Sequence, residues 1–206
     1  PDGYICMDYL TGIGCPHCEM TAPLLLTQLP KEYPNLVVIE YEIYGKEENT
    51  LVFDNYVSAY HTDYHIPLLI FGQETYFSGH LPIVNNIRGL IEETDSNGCP
   101  LINGSSQDFS DLDLSSLPGY PLIWHQEKVL IKRGPEGDGE LLKELLTNDN
   151  LSEALKGVEF EAIEPIEVAI PGAEVNFEHG IIIDDWILQW NGEGIATPTP
   201  PKPEPI

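Results

Sequence analysis

GIGCPHCEMTAPLLL, residues 12–26, joins two structural signals to one chemical one. Gly12 and Gly14 mark a loop, and Pro16 suits the first turn of a helix, where its missing N–H costs nothing. Leu24, Leu25, Leu26 and, further on, Leu29 supply a helical apolar face, and Pro23 inside that face predicts a kink. Cys15 and Cys18 stand one turn apart at the start of this helix. Such a pair is a redox couple, half of a metal site, or a structural staple.

In the redox reading, Cys15 faces unpaired backbone N–H groups and the positive end of the helix dipole. Both favour thiolate over thiol and make Cys15 the nucleophile. Cys18, one turn further in, is better shielded, as a resolving thiol should be. His17 adds positive charge or a hydrogen bond near the Cys15 sulfur, and Pro16 stiffens the loop. A metal site needs about four ligands, and a lone CxxC supplies two. Cys99 and one of His61, His65 or His80 would have to converge on it, and nothing in the spacing asks for that. As a staple, the pair only pins a loop.

The neighbouring segments give the order of elements. Residues 4–10, YICMDYL, have strand length and an apolar, aromatic-rich composition. NLVVIEYEI (35–43) is a second strand, ENTLVFDNYVSAYH (48–61) a second helix, and IPLLIF (66–71) a third strand. Glu74–Ser78 is a fourth strand, and Ile83, Ile87, Leu90 and Ile91 mark a third helix over 81–93. A βαβ half followed by a ββα half predicts a four-stranded mixed sheet flanked by helices, within residues 1–95.

Several matched positions in this order make the sequence resemble the thioredoxin superfamily, specifically its CPHC-bearing members such as extracytoplasmic disulfide oxidoreductases. The CPHC motif follows the first strand at the start of a helix. Pro23 stands where members carry their helix-kinking proline, Ile66-Pro67 where they carry a cis-proline after a small or apolar residue, and Gly79 where they carry a glycine before the last helix. The resemblance covers residues 4–93. It implies a thioredoxin fold and thiol–disulfide exchange in which Cys15 attacks and Cys18 resolves, with Pro16, His17 and Pro67 around the sulfurs. Ile66 and His65 would border the substrate. No cofactor beyond the dithiol is implied; the partners are protein thiols or disulfides and a redox partner protein. The direction of exchange is not fixed by the motif. One position departs from the family: members place a buried Asp six residues before the first cysteine, where this chain has Tyr9. The acid is Asp8, and strand alternation turns it to the other face, unless the glycine-bearing loop absorbs a residue.

Residues 96–120 hold Asn97-Gly98, Asn103-Gly104 and Pro118-Gly119, the composition of a linker or irregular loop. Residues 121–191 predict a small α+β accessory module. PLIWHQEKVLIKR reads as a hairpin, ELLKELL and LSEALKG as short helices, and FEAIEPIEVAIP and AEVNFEHGIIIDDWILQW as strands with turns at Pro171-Gly172 and Asp184-Asp185. Trp124, Trp186 and Trp190 are core anchors of this unit. Cys6 reads as a buried inert thiol. Cys99 reads as free or structural, with pairing to Cys6 or electron exchange with the CPHC pair as alternatives.

Among 206 residues, 34 are acidic and 9 basic, a formal net charge of −25. This field repels phosphate backbones and argues against nucleic-acid partners. No apolar run reaches the length of a membrane span. ATPTPPKPEPI, within a proline-rich tail over 192–206, predicts an extended, solvated run. It is the form expected of a tether, with an anchor following residue 206 and an extracytoplasmic domain before it. The competing class is a non-catalytic extracytoplasmic binding or adaptor protein, using the thioredoxin scaffold with a structural disulfide.

Overall fold

The computed structural model describes residues 3–195; the 196–206 run lies outside the described residues. Strand β1 (Ile5–Thr11) is buried along its whole length. Alternation sends Ile5, Met7 and Tyr9 to one face and Cys6 and Leu10, with Asp8 between them, to the other. A strand buried on both faces belongs at the centre of a sheet. The helical segment that follows is broken in three: α1 (Pro16–Glu19), a π-helical turn (Leu24–Gln28) and α2 (Leu29–Glu32). Pro30 cannot donate to the carbonyl one turn back and its ring would strike it; the wide turn relieves that clash. The hydroxyl of Thr27 donates to the Pro23 carbonyl at 2.6 Å.

β2 (Leu36–Glu42) runs parallel to β1. After α3 (Glu47–Tyr60), β3 (Leu68–Gly72) lies antiparallel on the other side of β1, and β4 (Thr75–Ser78) pairs with β3. Helix α4 (His80–Glu92) completes the unit. The four strands expected from residues 1–95 therefore stand side by side as β4-β3-β1-β2.

The sheet does not stop at four. Beyond the short ribbon of β5 (Cys99–Pro100) and β6 (Ser106–Gln107), strand β7 (Leu122–His125) pairs antiparallel with β2, and β8 (Lys128–Lys132) pairs with β7. Helices α5 (Gly139–Thr147) and α6 (Leu151–Ala154) precede β9 (Glu161–Ile163) and a hairpin of β10 (Val168–Ile170) and β11 (Ala173–Val175). Then β12 (His179–Ile183) and β13 (Trp186–Trp190) close the chain's structure. The result is an α/β architecture around one mixed sheet of nine strands, β4-β3-β1-β2-β7-β8-β13-β12-β9, in place of a four-stranded sheet with a separate module. The physical reason lies in β2, whose free edge would leave a row of backbone donors and acceptors unpaired beside buried side chains.

One face of the sheet is covered by Ala22, Leu25, Leu26 and Leu29, by Ile83, Ile87 and Ile91 of α4, and by Val168 and Ile170 of the hairpin. The other carries α3, α5 and α6. Residues 96–120, expected as a linker or irregular loop, carry the β5–β6 ribbon and two 3-10 turns and are packed: Phe109, Leu112, Leu114 and Leu117 are buried in that second layer. The hydroxyls of Tyr56 and Tyr60 donate to the carbonyls of Pro100 and Leu101 at 3.1 and 2.8 Å. Asn97 acts as a strand substitute, accepting from the Cys6 N–H and donating to the Cys6 carbonyl, both at 2.8 Å. Beside it, Cys6 and Cys99 form a disulfide with Cα atoms 4.8 Å apart. This corrects the expectation of an inert Cys6 thiol. All three tryptophans are buried. Among the described residues, no helix is long and apolar enough to cross a membrane.

Candidate active site

The CPHC motif follows the C-terminal end of β1, an interior strand of the sheet. Glu42, at the end of the neighbouring β2, ties the loop down. One carboxylate oxygen accepts from the N–H groups of Ile13 and Tyr44 at 3.0 and 3.1 Å, and the other from Gly45 at 2.7 Å. Gly12 lets Tyr44 and Ile66 close over the loop: a Cβ there would stand 2.4 Å from the Tyr44 ring and 2.9 Å from the Ile66 side chain, and both would have to shift. Cys15 is the N-cap of α1, with extended φ and ψ of −87° and 115°, and Pro16 follows in the first turn. The Cys15 sulfur accepts the Cys18 N–H at 3.2 Å, so an orphan donor of the helix start points at it. Cys15 and Cys18 are joined as a disulfide, Cα atoms 5.2 Å apart. Cys15 is half-buried, whereas Cys18 has 0% exposure.

On one side of Cys15 a groove of about 500 Å³ opens between the CPHC loop, the β2–α3 connection and the segment before Pro67. Cys15, Ile43, Phe53 and Ile66 line it, together with Tyr44 and Tyr64, which are 63% and 60% exposed. The Tyr64 hydroxyl donates to Asp54 at 2.5 Å, which fixes that ring at the groove's rim. His65 is exposed and Ile66 half-buried, and both line the groove; Pro67 is buried. The Ile66–Pro67 peptide bond is cis. The Pro67 carbonyl accepts the Gly79 N–H at 2.9 Å, tying the segment to the start of α4.

Beneath Cys18 the motif rests on a buried polar chain. The Thr21 hydroxyl donates to the Cys18 carbonyl at 3.2 Å and lies 2.6 Å from the Tyr9 hydroxyl, to which Thr11 donates at 3.1 Å. Burial, more than the nearby Glu40, pushes the Tyr9 phenol up, although Thr11 and Thr21 oppose the shift. Glu40 lies directly across from Tyr9 on β2. Desolvation pushes its carboxyl up to about 8, opposed by the Trp124 indole N–H, which donates to it at 2.9 Å, and reinforced by Glu42. Asp8 faces the opposite side, where burial raises it well above the carboxylate range and neither oxygen finds a hydrogen-bond partner. The Tyr56 hydroxyl beside it donates to Pro100 instead. Tyr9 therefore fills the place facing the CPHC helix, and Asp8 is turned away from it.

No protein-family model, curated protein or solved structure matches the chain.

Of the residues expected at the site, Cys15, Pro16, His65 and Ile66 line one groove, while Cys18 and Pro67 are buried beside Cys15 and Ile66 in the chain. His17, exposed on the same turn, points to a residue outside the motif: its Nδ1 lies 2.8 Å from Nδ1 of His80. Sequence reading considers His80 only as a remote metal ligand, and the signal for its true place is Gly79, the glycine before α4. The tip of the β10–β11 hairpin also reaches the site, for a Cβ on Gly172 would stand 2.9 Å from the Glu19 carbonyl oxygen. No sequence signal indicates that contact. Among the described residues, no three His, Cys, Asp or Glu side chains are grouped so as to hold a metal ion.

Proposed function

We propose that the chain is a thiol–disulfide oxidoreductase whose first unit has a thioredoxin fold, acting on protein thiols or disulfides. The observation that carries this reading is the asymmetry of the disulfide. Its first sulfur sits at a helix start, accepts a backbone N–H and borders an aromatic groove, while its partner is fully buried. The arrangement β4-β3-β1-β2, with the motif after β1 and a proline opening β3, supports the fold.

In the oxidising direction, a substrate thiolate attacks Cys15 Sγ, the Cys15–Cys18 bond breaks, and a substrate–Cys15 disulfide forms as Cys18 leaves and takes a proton. A second substrate thiolate then attacks the substrate sulfur and releases the Cys15 thiolate. Two electrons pass from substrate to the cysteine pair, and a redox partner protein removes them. The reverse sequence reduces a substrate disulfide. Attack at Cys15 is favoured because Cys18 is out of reach, and the thiolate left on Cys15 faces the Cys18 N–H at the helix start. The groove offers Tyr44, Phe53 and Tyr64 to an extended segment running past Ile66. A second, buried disulfide supports an oxidising, extracytoplasmic setting.

The test is a pair of variants in an exchange assay with a model peptide disulfide. Cys15→Ser should abolish exchange, and Cys18→Ser should accumulate mixed disulfides on Cys15. In the reduced protein, Cys15 should alkylate faster than Cys18 at neutral pH. If both thiols react slowly and the pair resists a glutathione series down to a strongly reducing poise, the disulfide is a staple and the reading fails.

A further inference from the structure

His17 and His80 lie 63 residues apart in sequence, yet their Nδ1 atoms are 2.8 Å apart. The rings are 12° from parallel, with centroids separated by 4.8 Å. Backbone geometry builds this contact from both sides. His17 is in the first turn of α1, and His80 opens α4 directly after Gly79, whose φ of 90° turns the chain and whose N–H is held by Pro67. A side chain other than glycine would resist that turn. Along their own elements, Glu19 follows His17 by two residues on the α1 turn. The first turn of α4 carries no acidic residue.

Two imidazole nitrogens at this distance make a hydrogen bond only when one proton lies between them. Two bare lone pairs would repel, and two N–H groups would crowd the gap. The contact therefore fixes complementary tautomers: one ring donates from Nδ1 and leaves its Nε2 open, and the other accepts at Nδ1 and carries its proton on Nε2. One further proton fits on the open Nε2 and turns the contact into a charge-assisted bond. A second would have to enter the gap and would break it.

We propose that His80 is a positioning residue for this site, sharing one proton with His17 so that the two rings together take up the proton that accompanies reduction of Cys15–Cys18. The proposal rests on the oxidoreductase reading. When a dithiol, or two glutathione molecules, reduces the pair, the S–S bond breaks and the reductant becomes a disulfide, giving up two electrons and two protons. Cys18 takes one proton as a thiol. The other goes to the open Nε2 of the histidine pair, and Cys15, two residues before His17 in the chain, stays a thiolate.

The test uses the full chain and the variants His80→Phe, which keeps an aromatic ring without nitrogen, and His80→Asn, which restores a hydrogen bond to His17 but no titrating group. Nitrogen-15 NMR of the imidazoles in the oxidised protein should show one protonated and one bare Nδ1, a pattern lost in both variants. The equilibrium with glutathione at pH 7 should shift three- to tenfold towards the disulfide in His80→Phe, tenfold being about 30 mV for this two-electron couple, and Asn should not rescue it. An unshifted equilibrium in His80→Phe, with wild-type exchange intact, overturns the proposal and leaves the oxidoreductase reading standing. Full rescue by Asn also overturns it, because placement of His17 would then suffice. Displacement of the shared proton by equimolar zinc assigns the pair to a metal and refutes it as well. A wild-type pair that glutathione cannot reduce ends the oxidoreductase reading itself, and this proposal with it.

Discussion

Glu40 gives the most direct physical test of the structure. Its carboxyl is wholly buried, accepts one hydrogen bond from Trp124, and is pushed up from an ordinary 4.5 to about 8 by desolvation. An acid raised in the folded state is bound to its proton more tightly there than in the unfolded chain, so folding is favoured at low pH. That advantage is lost as pH climbs past 4.5, and the loss levels off once the pH passes about 8. Each pH unit between those limits costs about 1.4 kcal/mol, so this one carboxyl lowers stability by roughly 3 kcal/mol between pH 4.5 and 7. Glu40→Gln keeps a carbonyl oxygen for the indole and nearly the same volume, but cannot ionise. Urea unfolding of the two proteins should give similar stabilities near pH 4.5 and a gain of about 3 kcal/mol for Glu40→Gln at pH 7, equivalent to roughly 6–12 °C in Tm. Asp8 pulls in the same direction, so the variant should retain part of the slope. Parallel pH profiles for wild type and Glu40→Gln would refute the reasoning and place the Glu40 carboxylate in contact with water or a cation.

Two further predictions concern the frame around the site. Gly172→Ala forces a side chain into a φ of 80° with its Cβ 2.9 Å from the Glu19 carbonyl oxygen, and should cost about 2 kcal/mol. Amide exchange over residues 168–175 should quicken; unchanged exchange would show that the hairpin does not rest on α1. Replacing Cys6 and Cys99 together by Ala opens a link across 93 residues. It should cost about 2–5 kcal/mol in denaturant unfolding, with the Cys15–Cys18 exchange rate unaltered. A large fall in that rate, measured under conditions where the variant is folded, would mean that the second disulfide takes part in the chemistry.

What the sequence makes legible here is whatever is carried by neighbours along the chain. The apolar runs become β1, β2 and β3, the leucines after Pro23 become a kinked helix, and Pro171-Gly172 becomes a hairpin turn. Each depends on residues within a dozen positions. The hidden features are pairings across long separations. Val38 faces Trp124 because β7 happens to be the strand that closes the edge of β2, and nothing in LVVIEYE or PLIWH names the other. Glu40 lies within NLVVIEYEI, read only as a strand, and the indole that meets its carboxyl comes from that neighbour. Cys6 is recognisably interior from its apolar neighbours, but pairing with Cys99 is one alternative among several, because that cysteine lies in a stretch whose composition says only linker or irregular loop. Phe109, Leu112, Leu114 and Leu117 carry the sign that this loop is packed, though their spacing fits neither a helix nor a strand.

The long-range contacts also change what residues 121–191 are for. β7 brings Trp124 onto Glu40, which lies across from Tyr9, and Tyr9 reaches the Cys18 carbonyl through Thr21. From the same stretch, the β10–β11 hairpin lays Gly172 on the backbone of Glu19, the residue after Cys18. The CPHC turn is thus supported from below by the hydrogen bonds of Thr21, Tyr9 and Thr11, on a strand whose neighbour β2 carries the Glu40–Trp124 pair, and from the side by the β10–β11 hairpin. A motif of four residues has few contacts of its own with which to hold two sulfurs at a helix start. Here the holding is done by Glu42 on the loop before it, by His80 beside it, and by residues more than a hundred positions downstream. A substitution in those downstream strands therefore acts on Cys15 and Cys18 through backbone placement, without touching either sulfur.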